Sequence, residues 1–329
     1  MTEKPSISWS EAFKKSPGPN SFKDSIILFI KGLCMGTADI IPGVSGGTIA
    51  LITGIYADLL LAIKSANTEF LKYLLKLDFK GALSVIHIRF LVSLLSGIGI
   101  AIISLAHLMN YLLKNHPVPT WALFLGLISA SILVIGKQIQ HWPGEGGFSF
   151  IAGAFSGFFI VGMIPVSTPE ALWFIFLSGM IAICAMILPG ISGAFLLLIL
   201  GKYEFVTGAL KNLLDFTNLS IIFAFLCGCL VGITGFSRIL SWLLEKYHNA
   251  TIAFLTGLMF GSMRKIWPWK ETLETQIIRG KIHVLTEKNI LPAQLDETFF
   301  IALLLVAVGF LLVIFLEKKS NRNTPSANV

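Results

Sequence analysis

Apolar runs of about 20 residues, the length of helix that spans the hydrocarbon core of a bilayer, recur along this chain from Ile26 to Val313 with short polar joints between them. Backbone in hydrocarbon has no water to bond, so such runs cross only as structures that satisfy their own N–H and C=O groups. The expected fold is therefore an all-α polytopic membrane protein. Composition agrees: 55% hydrophobic and 13% charged residues, with a mean hydropathy of +0.80, lie outside the range of soluble domains. The longest polar stretch, Arg264 to Glu297, reads as an extramembrane loop. Residues 1–21 carry Glu3, Lys4, Glu11, Lys14 and Lys15 and lack the short apolar core of a signal peptide, so none is expected. Cys34, Cys184, Cys227 and Cys229 lie in apolar segments without metal-ligand spacing and read as buried structural thiols. No metal and no cofactor is expected. The net charge of +7 is attributed to lysines on the cytoplasmic side, not to a nucleic-acid partner.

The most informative pattern is an internal repeat. "IPGVSGGTIALITGIY" (41–56) aligns with "LPGISGAFLLLILGKY" (188–203) at an offset of 189 − 42 = 147, preserving Pro42/Pro189, Gly43/Gly190, Ser45/Ser192, Gly46/Gly193, Leu51/Leu198, Gly54/Gly201 and Tyr56/Tyr203. Further on, Leu112 pairs with Leu243 and Gly126 with Gly257, now at an offset of 131. The first copy thus holds extra residues, including "EFLKYLLKLDFKGAL" (69–83). Lys72, Lys76 and Lys80 fall four apart there, as on one face of an amphipathic interfacial helix; lysines that touch the head groups of membrane lipids and a merely solvated face are both open readings.

Each copy reads as a broken hairpin followed by two spans: 22–63, 89–113 and 119–137, then 169–210, 219–243 and 250–266. The expected divisions are a cytoplasmic segment 1–21, repeat one 22–137, a linking helix 148–165, repeat two 169–266, an extracytoplasmic loop 267–298, a last span 299–316 and a cytoplasmic tail 317–329. One odd crossing between the copies inverts the second, the organisation of many secondary transporters. Lysine and arginine are weighted to the side of the two termini, which places both in the cytoplasm.

A Pro-Gly-x-Ser-Gly break inside an apolar run puts irregular backbone at membrane depth. That is tolerated only where protein or a water-filled cavity satisfies it. Two inverted re-entrant hairpins would bring both tips towards the midplane, with the second arms starting at Gly46, Gly47 and Thr48 and at Gly193 and Ala194. Free N–H groups at such starts bind anions, phosphate included. Ser45, Thr48 and Ser192 add hydroxyls, and Gly43 and Gly190 let a ligand approach the backbone. A helix kink with close glycine packing is the competing reading.

Ionisable groups at membrane depth cost about 2.5 to 3.5 kcal/mol each at a helix centre. Arg238 suits a bidentate contact with an anion, and an ion pair with Asp39 or snorkelling is its alternative. Asp39, whose counterpart is Met186, suits a proton carrier or a helix cap. His107 is a second candidate for proton coupling. Lys31 lies near a membrane face and snorkels.

"MGTADIIPGVSGGT", "MILPGISGAF", "GFSRILSWLLEKYHNAT" and "GLMFGSMRKIWPW" occur in that order, and together they resemble the bacterial polyprenyl-phosphate transporter family over Phe22 to Trp269. The resemblance implies a cytoplasmic-membrane flippase that returns undecaprenyl phosphate to the inner leaflet for reuse in cell-envelope synthesis. Ala194, where the first copy has Gly47, departs from the symmetry, so unequal tips are expected. Two other readings stay open. Phosphatases of undecaprenyl pyrophosphate also use inverted hairpins with Pro-Gly-x-Ser, but here Gly46 and Gly193 follow the serines and no carboxylate pair or histidine lies nearby, so no catalytic residue is assigned. A carrier for a small soluble anion would use the same tips without an opening to lipid.

Overall fold

A computed structural model describes residues 8–40, 45–140, 142–166, 168–210, 215–278, 281–292 and 294–323. Gly43, one of the expected tip residues, lies outside them. Repeat one comprises α2 (Phe22–Asp39), two short arms α3 (Gly46–Ile52) and α4 (Tyr56–Lys64), α7 (Ile88–Asn115) and α8 (Pro117–Gly136). In repeat two the same order returns as α10 (Leu172–Ile187), α11 (Gly193–Ile199), α12 (Tyr203–Ala209), α13 (Phe216–Lys246) and α14 (His248–Ser262). The rest are α1 (Trp9–Lys15), α5 (Thr68–Leu75), α6 (Phe79–Val85), α9 (Gly147–Val161) and α15 (Glu297–Asn323). Among the described residues five helical stretches are long and apolar enough to cross a bilayer, and α3 and α4 form a further pair bent by 118°. The chain is an all-α polytopic membrane protein with one small β element.

Local sequence explains the breaks. Both short arms end in a Schellman motif: Ile55 N–H donates to Ala50 O and Gly54 N–H to Leu51 O, and at the equivalent positions Lys202 donates to Leu197 and Gly201 to Leu198. The motif requires a left-handed residue, supplied by Gly54 at φ +72° and Gly201 at φ +63°. The turns into α8 and α14 are equally alike. His116 (φ −133°, ψ 55°) and Tyr247 (φ −129°, ψ 50°), separated by the same 131 residues, donate their N–H groups to Leu112 O and Leu243 O. Pro117 fits the first turn of α8 because no intrahelical acceptor awaits its missing N–H.

Helix packing repeats as well, with an exchange. α2 packs along α7 and α10 along α13, whereas α8 packs on α15 and α14 on α9. Each helix that follows one repeat thus seats on the third span of the other. Gly126 and Gly257 make this possible: a Cβ at Gly126 would strike the Val306 carbonyl, and one at Gly257 the Phe150 carbonyl. The two third spans run in opposite directions. Gln140, past the end of α8, donates to Asn249 at the start of α14 (3.4 Å), while Lys270, past the end of α14, sits 4.5 Å from the ring of Trp121 near the start of α8. The repeats are therefore inverted.

Three expectations are corrected. The stretch read as a plain loop contains an antiparallel hairpin, β1 (Lys270–Ile278) and β2 (Lys281–Asn289), pairing from Lys270↔Asn289 to Ile278↔Lys281. The insertion 69–83 is not one amphipathic helix. α5 stops at Leu75, Leu77 adopts φ +56°, and Asp78 caps α6 by accepting from Gly81 N–H (2.9 Å), so Lys72, Lys76 and Lys80 share no continuous helical face. Cys34 is exposed on α2, also against expectation.

Candidate functional site

The two hairpins meet tip to tip, and the first spends its polar groups on that meeting. Ser45, 1% exposed, caps α3 by accepting from Gly47 N–H (3.1 Å), and its hydroxyl reaches the Met186 and Leu188 carbonyls of the second hairpin (3.2 and 3.1 Å). Thr48, fully buried, accepts from Gly190 N–H (3.0 Å), and Tyr56 donates to Ile187 O (3.1 Å). Gly47 lies so close to the Ile187 carbonyl that a Cβ there would collide with it. Gly190 holds φ +86° against Met259 and Ser262 of α14.

Asp39 occupies the start of α3. Its Oδ1 accepts from Gly46 N–H at 2.7 Å. Thr48 N–H donates to Ser45 O (2.9 Å), so the first N–H groups of α3 are all engaged within the protein. The expectation of free donors at this tip does not hold in this conformation: a carboxylate of the chain itself sits where an anion would.

The second tip differs. No side chain caps α11, and among the described residues the Ser192 hydroxyl makes no hydrogen bond. Position 195 is Phe where the first copy has Thr48, and Tyr203 is 41% exposed where Tyr56 is 3%. Gly193 packs against the Ala182 carbonyl of α10. Beside this tip runs a groove of about 450 Å³ that is almost wholly apolar, lined by Leu188, Ile191 and Leu196 of the hairpin, Cys184 of α10, and Gly235 and Phe236 of α13.

Arg238 is exposed on α13, three positions after Gly235 and seven after Val231, so it falls at the edge of the helical face that lines the groove. It forms no ion pair with Asp39. His107 is exposed on α7, and among the described residues neither it nor Arg238 has a hydrogen bond to either tip. Lys31 does more than snorkel: its Nζ donates to Thr53 O (2.7 Å), the carbonyl of the residue that caps the C-terminus of α3. In the other copy Thr168 bonds the equivalent Leu200 carbonyl through its hydroxyl and accepts from Lys202 Nζ (2.9 Å) on its own carbonyl. A cation near the negative end of each arm offsets its unpaired carbonyls. Sequence reasoning passed over Lys202, since its counterpart is Ile55, and took Tyr56 as an identity of the repeat without foreseeing its contact. The Tyr56/Tyr203 identity was the available signal.

Over residues 35–284 the chain matches the family model described as undecaprenyl phosphate translocase-like. A Vibrio cholerae protein named polyprenyl-phosphate transporter is 42% identical over 301 residues, covering 89% of this chain and 96% of its own. A Staphylococcus aureus protein of the same name is 30% identical over 257 residues, covering 74% and 86%. No solved structure matches.

Proposed function

The chain belongs to the undecaprenyl phosphate translocase-like family, and we propose that it is a flippase that returns undecaprenyl phosphate from the outer to the inner leaflet of the bacterial cytoplasmic membrane for reuse in envelope synthesis. The observation that carries this reading is the apolar groove beside an uncapped, hydroxyl-bearing tip. A prenyl tail enters the groove while its phosphate meets Ser192 and Gly193, and Gly190 joins them once Thr48 releases its N–H. A small soluble anion has no use for such a lining. Arg238, at the groove edge, is the cation for the head group, and Ser45, Gly46, Gly47 and Thr48 complete the site when the tips part.

A phosphate monoester carries about 1.5 to 2 negative charges near neutral pH and does not cross hydrocarbon unaided. Its inward movement opposes a negative-inside potential by about 2.3 kcal/mol per charge per 100 mV. Proton coupling offsets that cost, and Asp39 is placed to provide it. A proton on its carboxyl removes the negative charge at the start of α3, weakens the bond from Gly46 N–H and frees that donor for phosphate. His107 would serve only as a proton relay at a distance. Both termini are cytoplasmic in this reading.

The test is binding of undecaprenyl phosphate to the purified protein in detergent beside undecaprenyl pyrophosphate, dolichyl phosphate and inorganic phosphate, read by native mass spectrometry with product detection. Selective retention of intact prenyl monophosphate is expected. Cleavage of the pyrophosphate would make the protein an enzyme, and retention of inorganic phosphate alone a soluble-anion carrier.

A further inference from the structure

The base of the β-hairpin, through Lys270, Glu287 and Asn289, borders a cavity of about 270 Å³ beside the ends of α9 and α14. One wall is charged. Lys265 Nζ and Lys270 Nζ both approach Glu287 Oε2, at 3.2 and 3.4 Å, and Lys270 also donates to Lys265 O (2.6 Å). The Arg264 guanidinium lies 4.7 Å from the ring centroid of Phe158 and, among the described residues, has no carboxylate partner. Three cations face one carboxylate, a surplus of 3 − 1 = 2 charges. The other wall is apolar and includes Phe195 and Leu198 of α11.

This cluster is costly to keep. The Lys270 and Glu287 side chains are 11% and 27% exposed. Burial pushes the Lys270 ammonium down to about 8, against the pull of Glu287 and with added repulsion from Lys265. Burial also pushes the Glu287 carboxyl up, yet the charges and hydrogen bonds of Lys265 and Lys270 outweigh it and hold it below the ordinary range. A cluster serving only to pin the hairpin would gain from charge balance, yet two part-buried lysines share the one carboxylate, which leaves a positive charge unbalanced. Arg264, on the exposed rim, adds a second. Here the surplus equals the charge of a phosphate monoester dianion. The apolar wall belongs to the same short helix that begins at the uncapped tip, six residues or about 9 Å away along its axis.

We propose that this cavity is a second phosphate site, which takes the head group of a prenyl phosphate on the side of the long loop before it reaches the hairpin tips, with Glu287 as the resident counter-charge that the phosphate displaces. The inference rests on the reading of the cargo as a prenyl phosphate. A free phosphate shares the anionic chemistry and not the apolar wall.

Binding of farnesyl phosphate and of inorganic phosphate to the full-length protein in detergent, at low salt and neutral pH, tests it. Wild type, Arg264→Gln, Lys270→Gln, Glu287→Gln and Ser192→Ala are compared, with thermal unfolding as the folding control. Farnesyl phosphate should bind wild type more tightly than inorganic phosphate does. Loss of Arg264 or Lys270 should weaken it by about tenfold, the worth of one charge-assisted hydrogen bond. Glu287→Gln should tighten it several-fold, because the competing carboxylate is gone. Weaker binding in Glu287→Gln as well would make the cluster structural and overturn the inference. So would equal binding of inorganic phosphate. Binding lost in Ser192→Ala but unchanged in the three cavity variants would sink this inference and leave the transport reading standing. A wild type that binds no prenyl phosphate would sink both.

Discussion

The two hairpins share a scaffold and differ in how their polar groups are used. Both arms span seven residues and close in the same glycine-dependent motif. In the first, Asp39, Ser45, Thr48 and Tyr56 are all committed to hydrogen bonds, three of them reaching the second hairpin. In the second, the equivalent residues are Met186, Ser192, Phe195 and Tyr203, and none caps its arm. Duplication thus supplied two equal frames, and divergence at two of those four positions, Asp39/Met186 and Thr48/Phe195, leaves one as the anchor and the other with an uncapped tip. Three side chains, Ser45, Thr48 and Tyr56, latch the tips at about 1 kcal/mol per hydrogen bond, and Leu51 and Ile55 add apolar packing in the same buried cluster as Ile187 and Ile191.

The comparison breaks first at Gly47. Its counterpart is Ala194, so a methyl group is tolerated at the second tip. At the first, Gly47→Ala would drive a Cβ into the Ile187 carbonyl. Loss of transport and a marked fall in Tm are expected, whereas Ala194→Gly should leave Tm nearly unchanged. Equal effects in thermal unfolding would show that the tips are not packed differently.

A pair of serine variants sharpens it next. Ser45→Ala removes a buried hydroxyl from two carbonyls and an N–H, and should cost about 1 to 3 kcal/mol of stability, read as a shift in denaturation midpoint. Ser192→Ala should leave the midpoint in place and weaken prenyl phosphate binding several-fold. A reversal of these two phenotypes would exchange the roles of the tips.

Asp39→Asn preserves the shape of the cap and removes its titration. Leaflet-resolved transport should persist but lose its pH dependence. Full pH-dependent transport in this variant would remove Asp39 from proton coupling.

The smallest effect expected is at the cavity beside the β-hairpin. Lys270, held near 8, is charged below that pH and loses its proton above it, while a phosphate monoester becomes a dianion above about pH 6. Affinity for farnesyl phosphate should therefore peak between about pH 6 and 8 and fall a few-fold towards pH 9. Lys270→Gln should abolish that alkaline fall. A wild-type profile flat to pH 9 would exclude Lys270 from the site.

Much of this architecture was legible in the residues. The apolar runs, the paired breaks before Gly46 and Gly193 and the terminating Gly54 and Gly201 each express a local rule of hydropathy or backbone angle. The β-hairpin escaped notice because its strands mix charged and apolar residues, with Glu271, Glu274, Lys281 and Lys288 blurring the alternation that marks a half-buried strand. The break between α5 and α6 was overlooked because the lysine spacing outweighed the cap signal of Asp78.

The sequence by itself determined that this chain lives in a bilayer, that it is built twice over, and where each copy must break. Those are properties of neighbouring residues, set by the solvent each run requires and by the angles each turn demands. Only the tertiary structure decided which tip is latched, which helices are exchanged between the repeats, and that Arg264, Lys265, Lys270 and Glu287 surround one cavity. A hydroxyl such as Thr48 is equally able to bind a ligand or a backbone N–H. Gly190, 142 residues away, takes that capacity because the fold brings it to 3.0 Å.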